Sequence, residues 1–121
     1  MPIKRLLIVD DEGDLIRPLY LRLTSLGPWK VAVAGDGAEG LVTAVEFRPD
    51  IALIDLAMPV MDGWALCRKL REDPRTRETR LVVMTAWISE DLGQRALAEG
   101  VAEVLVKPFE EAALLKAIGA M

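Results

Sequence analysis

Residues 51–63 read Ile51-Ala52-Leu53-Ile54-Asp55-Leu56-Ala57-Met58-Pro59-Val60-Met61-Asp62-Gly63. Four apolar residues stop abruptly on an acid, and a turn containing Met58-Pro59 and Asp62-Gly63 follows before a helical pattern begins. An unbroken apolar run of this length suits a strand buried on both faces, as in a parallel sheet covered by helices. Asp55 then stands at the strand's carboxyl end. In open α/β sheets that edge binds ligands, because the connections diverge there and leave a crevice.

Four more runs have the same character. Leu6-Leu7-Ile8-Val9 ends on Asp10-Asp11-Glu12, and Val31-Ala32-Val33-Ala34 is closed by Gly35-Asp36-Gly37. Leu81-Val82-Val83-Met84 ends on Thr85-Ala86, and Val104-Leu105-Val106 ends on Lys107-Pro108. Helical spacing fills the intervals. Leu15, Ile16, Leu19, Leu23 and Leu26 follow an expected Asp14 cap and stop at Gly27-Pro28; with that cap, Pro18 falls at the end of the first turn, whereas an earlier start implies a kink. Leu41, Val42, Val45 and Phe47 follow an Asp36 cap, and Trp64, Leu66, Cys67 and Leu70 run up to Asp73-Pro74. A helix is expected to start at Ser89-Glu90-Asp91 and to run through Leu92, Ala96 and Leu97 to Gly100, weakened at Gly93 by about 1 kcal/mol relative to alanine. A last helix over 110–120 turns Leu114, Leu115 and Ile118 inward. No linker, repeat or low-complexity stretch interrupts the five β-α units, so residues 1–121 are expected to form one α/β domain.

With 52% hydrophobic residues in 121, the chain has the composition of a folded protein with a real core. A net charge of -4 leaves no basic excess to neutralise phosphates, which argues against direct nucleic-acid binding. The lone Cys67 has no internal disulfide partner and reads as structural. Neither a signal-peptide pattern nor an apolar run near the ~18 residues of a membrane span is present, and a cytoplasmic location away from membranes is expected. The sequence contains no histidine. That excludes His-based zinc sites, Ser/His or Cys/His hydrolase arrangements and a phosphohistidine donor within the chain.

Taken alone, an acid after a strand is best read as a turn former or helix cap. Four strand ends that bring Asp10, Asp11, Asp55, Thr85 and Lys107 to one sheet edge are another matter. Carboxylates a few ångströms apart repel by about 4 kcal/mol per pair at ~4 Å with an effective dielectric near 20, so one protonates or a cation joins them. The donors are hard oxygens, which favours Mg2+, with Mn2+ as a substitute. A carboxylate beside such a metal, an amine and a hydroxyl is suited to accept a phosphoryl group.

The chain resembles the receiver domain of two-component response regulators. The residues that carry the resemblance are Val9-Asp10-Asp11-Glu12, Pro49-Asp50 leading to Asp55, Met58-Pro59 with Met61-Asp62-Gly63, Thr85-Ala86, and Lys107-Pro108-Phe109. It implies a doubly wound, flavodoxin-like sheet of five parallel strands in the order 2-1-3-4-5, flanked by five helices. Apolar runs alone do not fix which strands are neighbours, so that order enters as part of the resemblance. It also implies that Asp55 takes a phosphoryl group from a phosphohistidine on a sensor histidine kinase or histidine phosphotransfer protein. Asp11, Asp55 and the Ala57 carbonyl would hold magnesium, with Asp10 acting through water. Lys107 would pair with the phosphoryl group, Thr85 would turn its hydroxyl toward it, and the Lys107-Pro108 bond would be cis. Such a domain catalyses its own phosphorylation and dephosphorylation without turning over an external substrate. Its output passes to a downstream effector protein, to an output domain beyond Met121, or to a dimer formed on phosphorylation. Met1-Pro2 reads as a natural start.

Two features depart from the family pattern. The position three residues before the lysine, usually aromatic, is Val104, which leaves Trp87 as a candidate reporter of the Thr85 state or a cover for the site. The positions two after Asp55 and two after Thr85 are Ala57 and Trp87, which position water poorly and imply slow dephosphorylation. Two other readings stand beside the first. A receiver-like domain that binds partners without phosphate is compatible with Val104. A metal-dependent phosphatase working through an aspartyl phosphate expects a second Asp two residues after the nucleophile, where this chain has Ala57. Trp64, Trp29 and Tyr20 read as packing or surface aromatics, and the charged run Arg68–Arg80 as a solvated helix end and loop.

Overall fold

The computed structural model describes residues 4–58 and 61–119, with the side chain of Leu15 outside the description. The sequence readings at Met1-Pro2, at Pro59 and Val60 and at Ala120 and Met121 fall outside the described residues. Strands and helices alternate as β1 (Lys4–Val9), α1 (Gly13–Ser25), β2 (Trp29–Ala34), α2 (Gly37–Phe47), β3 (Ile51–Asp55), α3 (Gly63–Glu72), β4 (Arg80–Thr85), α4 (Leu92–Ala98), β5 (Glu103–Val106) and α5 (Glu111–Ala117). Every strand pairing is parallel and the order is β2-β1-β3-β4-β5, as the resemblance implies. The chain leaves β1 for the β2 edge and then crosses back to β3, so the crevice opens between the carboxyl ends of β1 and β3.

The pleat divides the core. Leu6 and Ile8 of β1, Leu53 of β3 and Val82 and Met84 of β4 pack with Ile16 and Leu23 of α1, Leu114 of α5 and Ile118 at its C-terminal end. Their alternates Leu7, Val9, Ile54, Leu81 and Val83 face Ala44 of α2, Leu66, Cys67 and Leu70 of α3, and Ala96 of α4. Because β1, β3 and β4 are buried on both faces, their apolar runs are continuous rather than alternating, whereas the edge strands β2 and β5 are partly exposed.

The caps explain where helices begin. Asp36 and Asp62 accept the backbone N–H of Glu39 and Ala65, at 2.8 and 2.9 Å, as N-caps should. Asp14 does not cap α1. That helix begins at Gly13, after a Glu12 that makes no side-chain cap bond, and Asp14 lies within the first turn. Pro18 is therefore inside the helix, where its missing N–H forgoes a bond to the Asp14 carbonyl.

The fourth helix is also shorter than its pattern suggests. Ser89 Oγ donates to Asp91 Oδ1 at 2.9 Å, Asp91 makes no cap bond, and α4 spans only seven residues from Leu92. Leu97, part of the helical pattern, is 81% exposed. Ala96 anchors α4 in the core, and side chains of α3 brace it: Trp64 carries Arg95 over its ring at 4.9 Å, and Arg68 meets Glu99, just past the helix end, at 3.1 Å. Arg71 donates to the carbonyls of Thr79 and Gly100, so the charged run is partly a clamp rather than a solvated end.

Cys67 is fully buried in the core shared by α3 and the sheet, and burial pushes its thiol up to about 12. The reactive species is the thiolate, so Ellman's reagent at pH 8 is expected to label Cys67 only as fast as the chain unfolds. Labelling at the rate of a free thiol in native buffer would contradict this packing.

Candidate functional site

Register alone gathers the polar strand ends. Val9 pairs with Ile54, which sets Asp10 beside Asp55 at the next step, and Asp55 pairs with Met84, next to Thr85. Thr85 in turn pairs with Val106, and the Lys107 N–H donates to the Thr85 carbonyl at 2.7 Å. Asp10, Asp55 and Thr85 are 4%, 3% and 4% exposed.

Each oxygen of the two buried carboxylates has a donor. Asp10 Oδ1 accepts the Glu12 N–H at 2.9 Å and Asp55 Oδ1 the Ala57 N–H at 3.1 Å. Lys107 Nζ donates to Asp10 Oδ2 at 2.9 Å and to Asp55 Oδ2 at 3.4 Å. One ammonium therefore serves two carboxylates drawn from opposite parts of the chain. The Lys107–Pro108 bond is cis.

The electrostatics follow from that sharing. Burial raises the Asp55 carboxyl above its ordinary range, and the charge of Asp10 adds to the rise, while the Ala57 N–H and Lys107 oppose it. Burial also works against the charge of Lys107 and is the largest single influence on it, yet Asp10 and Asp55 together hold its pKa above the usual lysine value. The amine stays charged and aimed at the acids.

Carboxylate oxygens of Asp10, Asp11, Glu12 and Asp55 lie within 4.8 Å of one another, with Asp11 and Glu12 exposed and the other two buried. Glu12 belongs to this group although the sequence reading singles out only its neighbours as ligands; its contiguity with Asp10-Asp11 was the available signal. Four carboxylates around one lysine leave unneutralised negative charge, and all their donors are hard oxygens. The residues fit a divalent cation of the magnesium type, which takes few protein ligands and keeps open positions.

The Thr85 hydroxyl is engaged by its own turn. It accepts the Trp87 N–H at 3.0 Å and donates to the Trp87 carbonyl at 3.3 Å. The Trp87 side chain is 79% exposed, so it neither covers the site nor packs on α4. Val104 is partly buried against the core on the α2, α3 and α4 side.

A family model described as the response regulator receiver domain matches residues 6–119. Among curated proteins, the chain is 38% identical over 110 residues to the response regulator PleD of Caulobacter vibrioides, covering 91% of this chain and 24% of PleD. It spans about a quarter to about half the length of the curated relatives it matches. Among solved structures, the chemotaxis protein CheY4 of Vibrio cholerae superposes with a TM-score of 0.89 at 30% identity, covering 98% of each chain. The receiver domain of the sensor histidine kinase PA1611 of Pseudomonas aeruginosa, solved with magnesium in its active-site cleft, superposes with a TM-score of 0.85 at 27% identity, covering 97% of this chain and 95% of that one.

Proposed function

Since the chain belongs to the response regulator receiver family, whose members switch by phosphorylation, we propose that Asp55 is its phosphoryl acceptor and that a phosphohistidine of a sensor histidine kinase or histidine phosphotransfer protein is the donor. The observation that carries this is the shared lysine: Asp55 is buried, hydrogen-bonded to Lys107 Nζ, and one of four carboxylates within 4.8 Å. A carboxylate oxygen of Asp55 attacks phosphorus, the P–N bond to the donor imidazole breaks, and its electron pair returns to the ring nitrogen. Asp11, Asp55 and the Ala57 carbonyl would hold Mg2+, with Asp10 acting through water; Mn2+ suits the same donors. When bound, the cation neutralises charge on the transferred oxygens. Lys107, already charged beside Asp55, pairs with the new phosphate.

The switch lies in Thr85. To reach a phosphate on Asp55 its hydroxyl gives up the bonds to the Trp87 backbone, and the segment 86–91 loses its tether. Phosphate thereby favours a second arrangement of that segment by the contact it makes with Thr85. The exposed Trp87 and Ile88 move with it toward a downstream effector, an output domain or a second copy of the chain.

Incubation with acetyl phosphate and Mg2+ is expected to add one phosphoryl group by mass, and Asp55→Asn to abolish the addition. Labelling that survives the substitution would displace Asp55 as acceptor. With Ala57 and Trp87 beside the site, the acyl phosphate should outlast the seconds scale in magnesium buffer; decay within seconds would show that another group positions the water. Val104, standing where the family pattern has an aromatic, favours one competing reading, constitutive binding. Beryllofluoride with magnesium separates the two, because constitutive binding predicts no change in Trp87 emission.

A further inference from the structure

Two glycines of α2 face the rest of the molecule on one side of the helix, and they meet different things. A Cβ at Gly40 would stand 3.0 Å from both Val9 methyl groups and 3.2 Å from Leu66 Cδ2, all ends of side chains. A Cβ at Gly37 would stand 2.5 Å from the Met61 carbonyl oxygen and 2.8 Å from Met61 Cβ. Gly37 is the first residue of α2 and is buried, and its backbone is not in the left-handed region, so space alone excludes a side chain there. The first turn of α2 is thus pressed directly against the backbone of the loop that joins Asp55 to α3.

That loop has its other anchor at α3. Asp62 caps α3 through the Ala65 N–H at 2.9 Å, and the Gly63 N–H donates to the Leu56 carbonyl at 3.2 Å. At its start, the Ala57 N–H is fixed on Asp55 Oδ1. We propose that Gly37 is a positioning residue for the metal site: by admitting Met61 against α2, it sets the position of Met61, Asp62 and Gly63, and through the Gly63 bond to the Leu56 carbonyl that of the neighbouring Ala57 carbonyl. This rests on the reading of the site given under Proposed function. Gly37 touches neither metal nor phosphate, and it acts through the loop backbone. A methyl group there pushes Met61 outward and carries the Ala57 carbonyl away from Asp11 and Asp55.

The test compares Gly37→Ala with Gly40→Ala, the same substitution on the same helix but against side chains that can give way. Calorimetric titration with Mg2+ alone is expected to show the dissociation constant raised about tenfold in Gly37→Ala, the scale of lost support behind a metal ligand, and raised less than twofold in Gly40→Ala. Phosphorylation of Gly37→Ala by acetyl phosphate should be slow at low Mg2+ and recover at saturating Mg2+, a rescue that general destabilisation would not produce. Met61→Gly supplies a second variant that adds no atom to α2. It frees the loop backbone and removes the side chain facing Gly37, and it should weaken Mg2+ binding in the same direction. Parent-like Mg2+ affinity in a folded Gly37→Ala, or in Met61→Gly where Gly37→Ala does not fold, overturns the proposal. Persistence of labelling in Asp55→Asn overturns the acceptor assignment instead, and the magnesium titration still reads the role of Gly37.

Discussion

Lys107→Met is expected to cost about 3 kcal/mol of folding stability in metal-free buffer, as breaking a buried ion pair from one side does, and to remove most phosphoryl acceptance. The ammonium is the donor to Oδ2 of both Asp10 and Asp55, and no second cation contacts either carboxylate among the described residues. Methionine keeps most of the stem and its packing, so the loss reads the charge. Mg2+ should restore much of the stability, because a divalent cation among the acids replaces the missing charge. The pH dependence has a definite sign. Burial already raises the Asp55 carboxyl, and loss of Lys107 raises it further. Between the unfolded and folded pKa values the native chain then holds a proton that the unfolded chain has lost, so stability falls as pH rises through that window and is regained on acidification. Urea melts in EDTA and in Mg2+, at neutral and mildly acid pH, check all three statements. A loss that is identical in every buffer would mean that Lys107 acts by packing and that the acids do not oppose one another.

How much of this was legible in the sequence follows from the physics of each feature. Strands buried on both faces leave continuous apolar runs, so β1, β3, β4 and the acids that end them could be read directly. The convergence of Asp10, Asp55, Thr85 and Lys107 then followed from parallel strands alone, because parallel register puts all carboxyl ends on one edge. Strand order came from the family resemblance, since apolar runs carry no neighbour information. What the sequence could not give was competition between local bonds. Asp14 and Asp91 look like caps, but the Asp10 carboxylate already holds the Glu12 N–H, and Ser89 already binds Asp91. Leu97 keeps helical spacing, yet α4 is so short that only Ala96 is buried. The Thr85 hydroxyl bound to the Trp87 backbone was likewise invisible, because an exposed tryptophan and a covering one are written with the same letter.

The steric role of Gly63 was hidden for a related reason, and its substitution is the second large effect. Asp62-Gly63 reads as a turn and helix start, in which glycine would be a convenience. In the structure a Cβ at Gly63 would meet the Asp55 carbonyl oxygen, with Leu56 Cα at 2.8 Å and the Asp55 carbonyl carbon at 3.0 Å, and none of these is a side-chain end that can swing aside. The backbone there is not left-handed, so the requirement is for space. Gly63→Ala is therefore expected to lose about 3 kcal/mol, the upper part of the usual range for overpacking a filled site. Relief comes only by moving α3 away from the end of β3, which breaks the 3.2 Å bond from the Gly63 N–H to the Leu56 carbonyl and displaces Asp55 itself. Phosphoryl acceptance should fall with stability, and unlike Gly37→Ala it should not recover at saturating Mg2+, because the acceptor as well as the metal ligand has moved. Gly93→Ala is the contrasting case. Nothing lies within 4 Å of its Cβ, and it sits in α4, so alanine should stabilise the chain by up to about 1 kcal/mol. Chemical denaturation of both variants decides the matter: opposite signs follow from the packing described, whereas a neutral Gly63→Ala would mean that α3 does not rest on the acceptor's backbone.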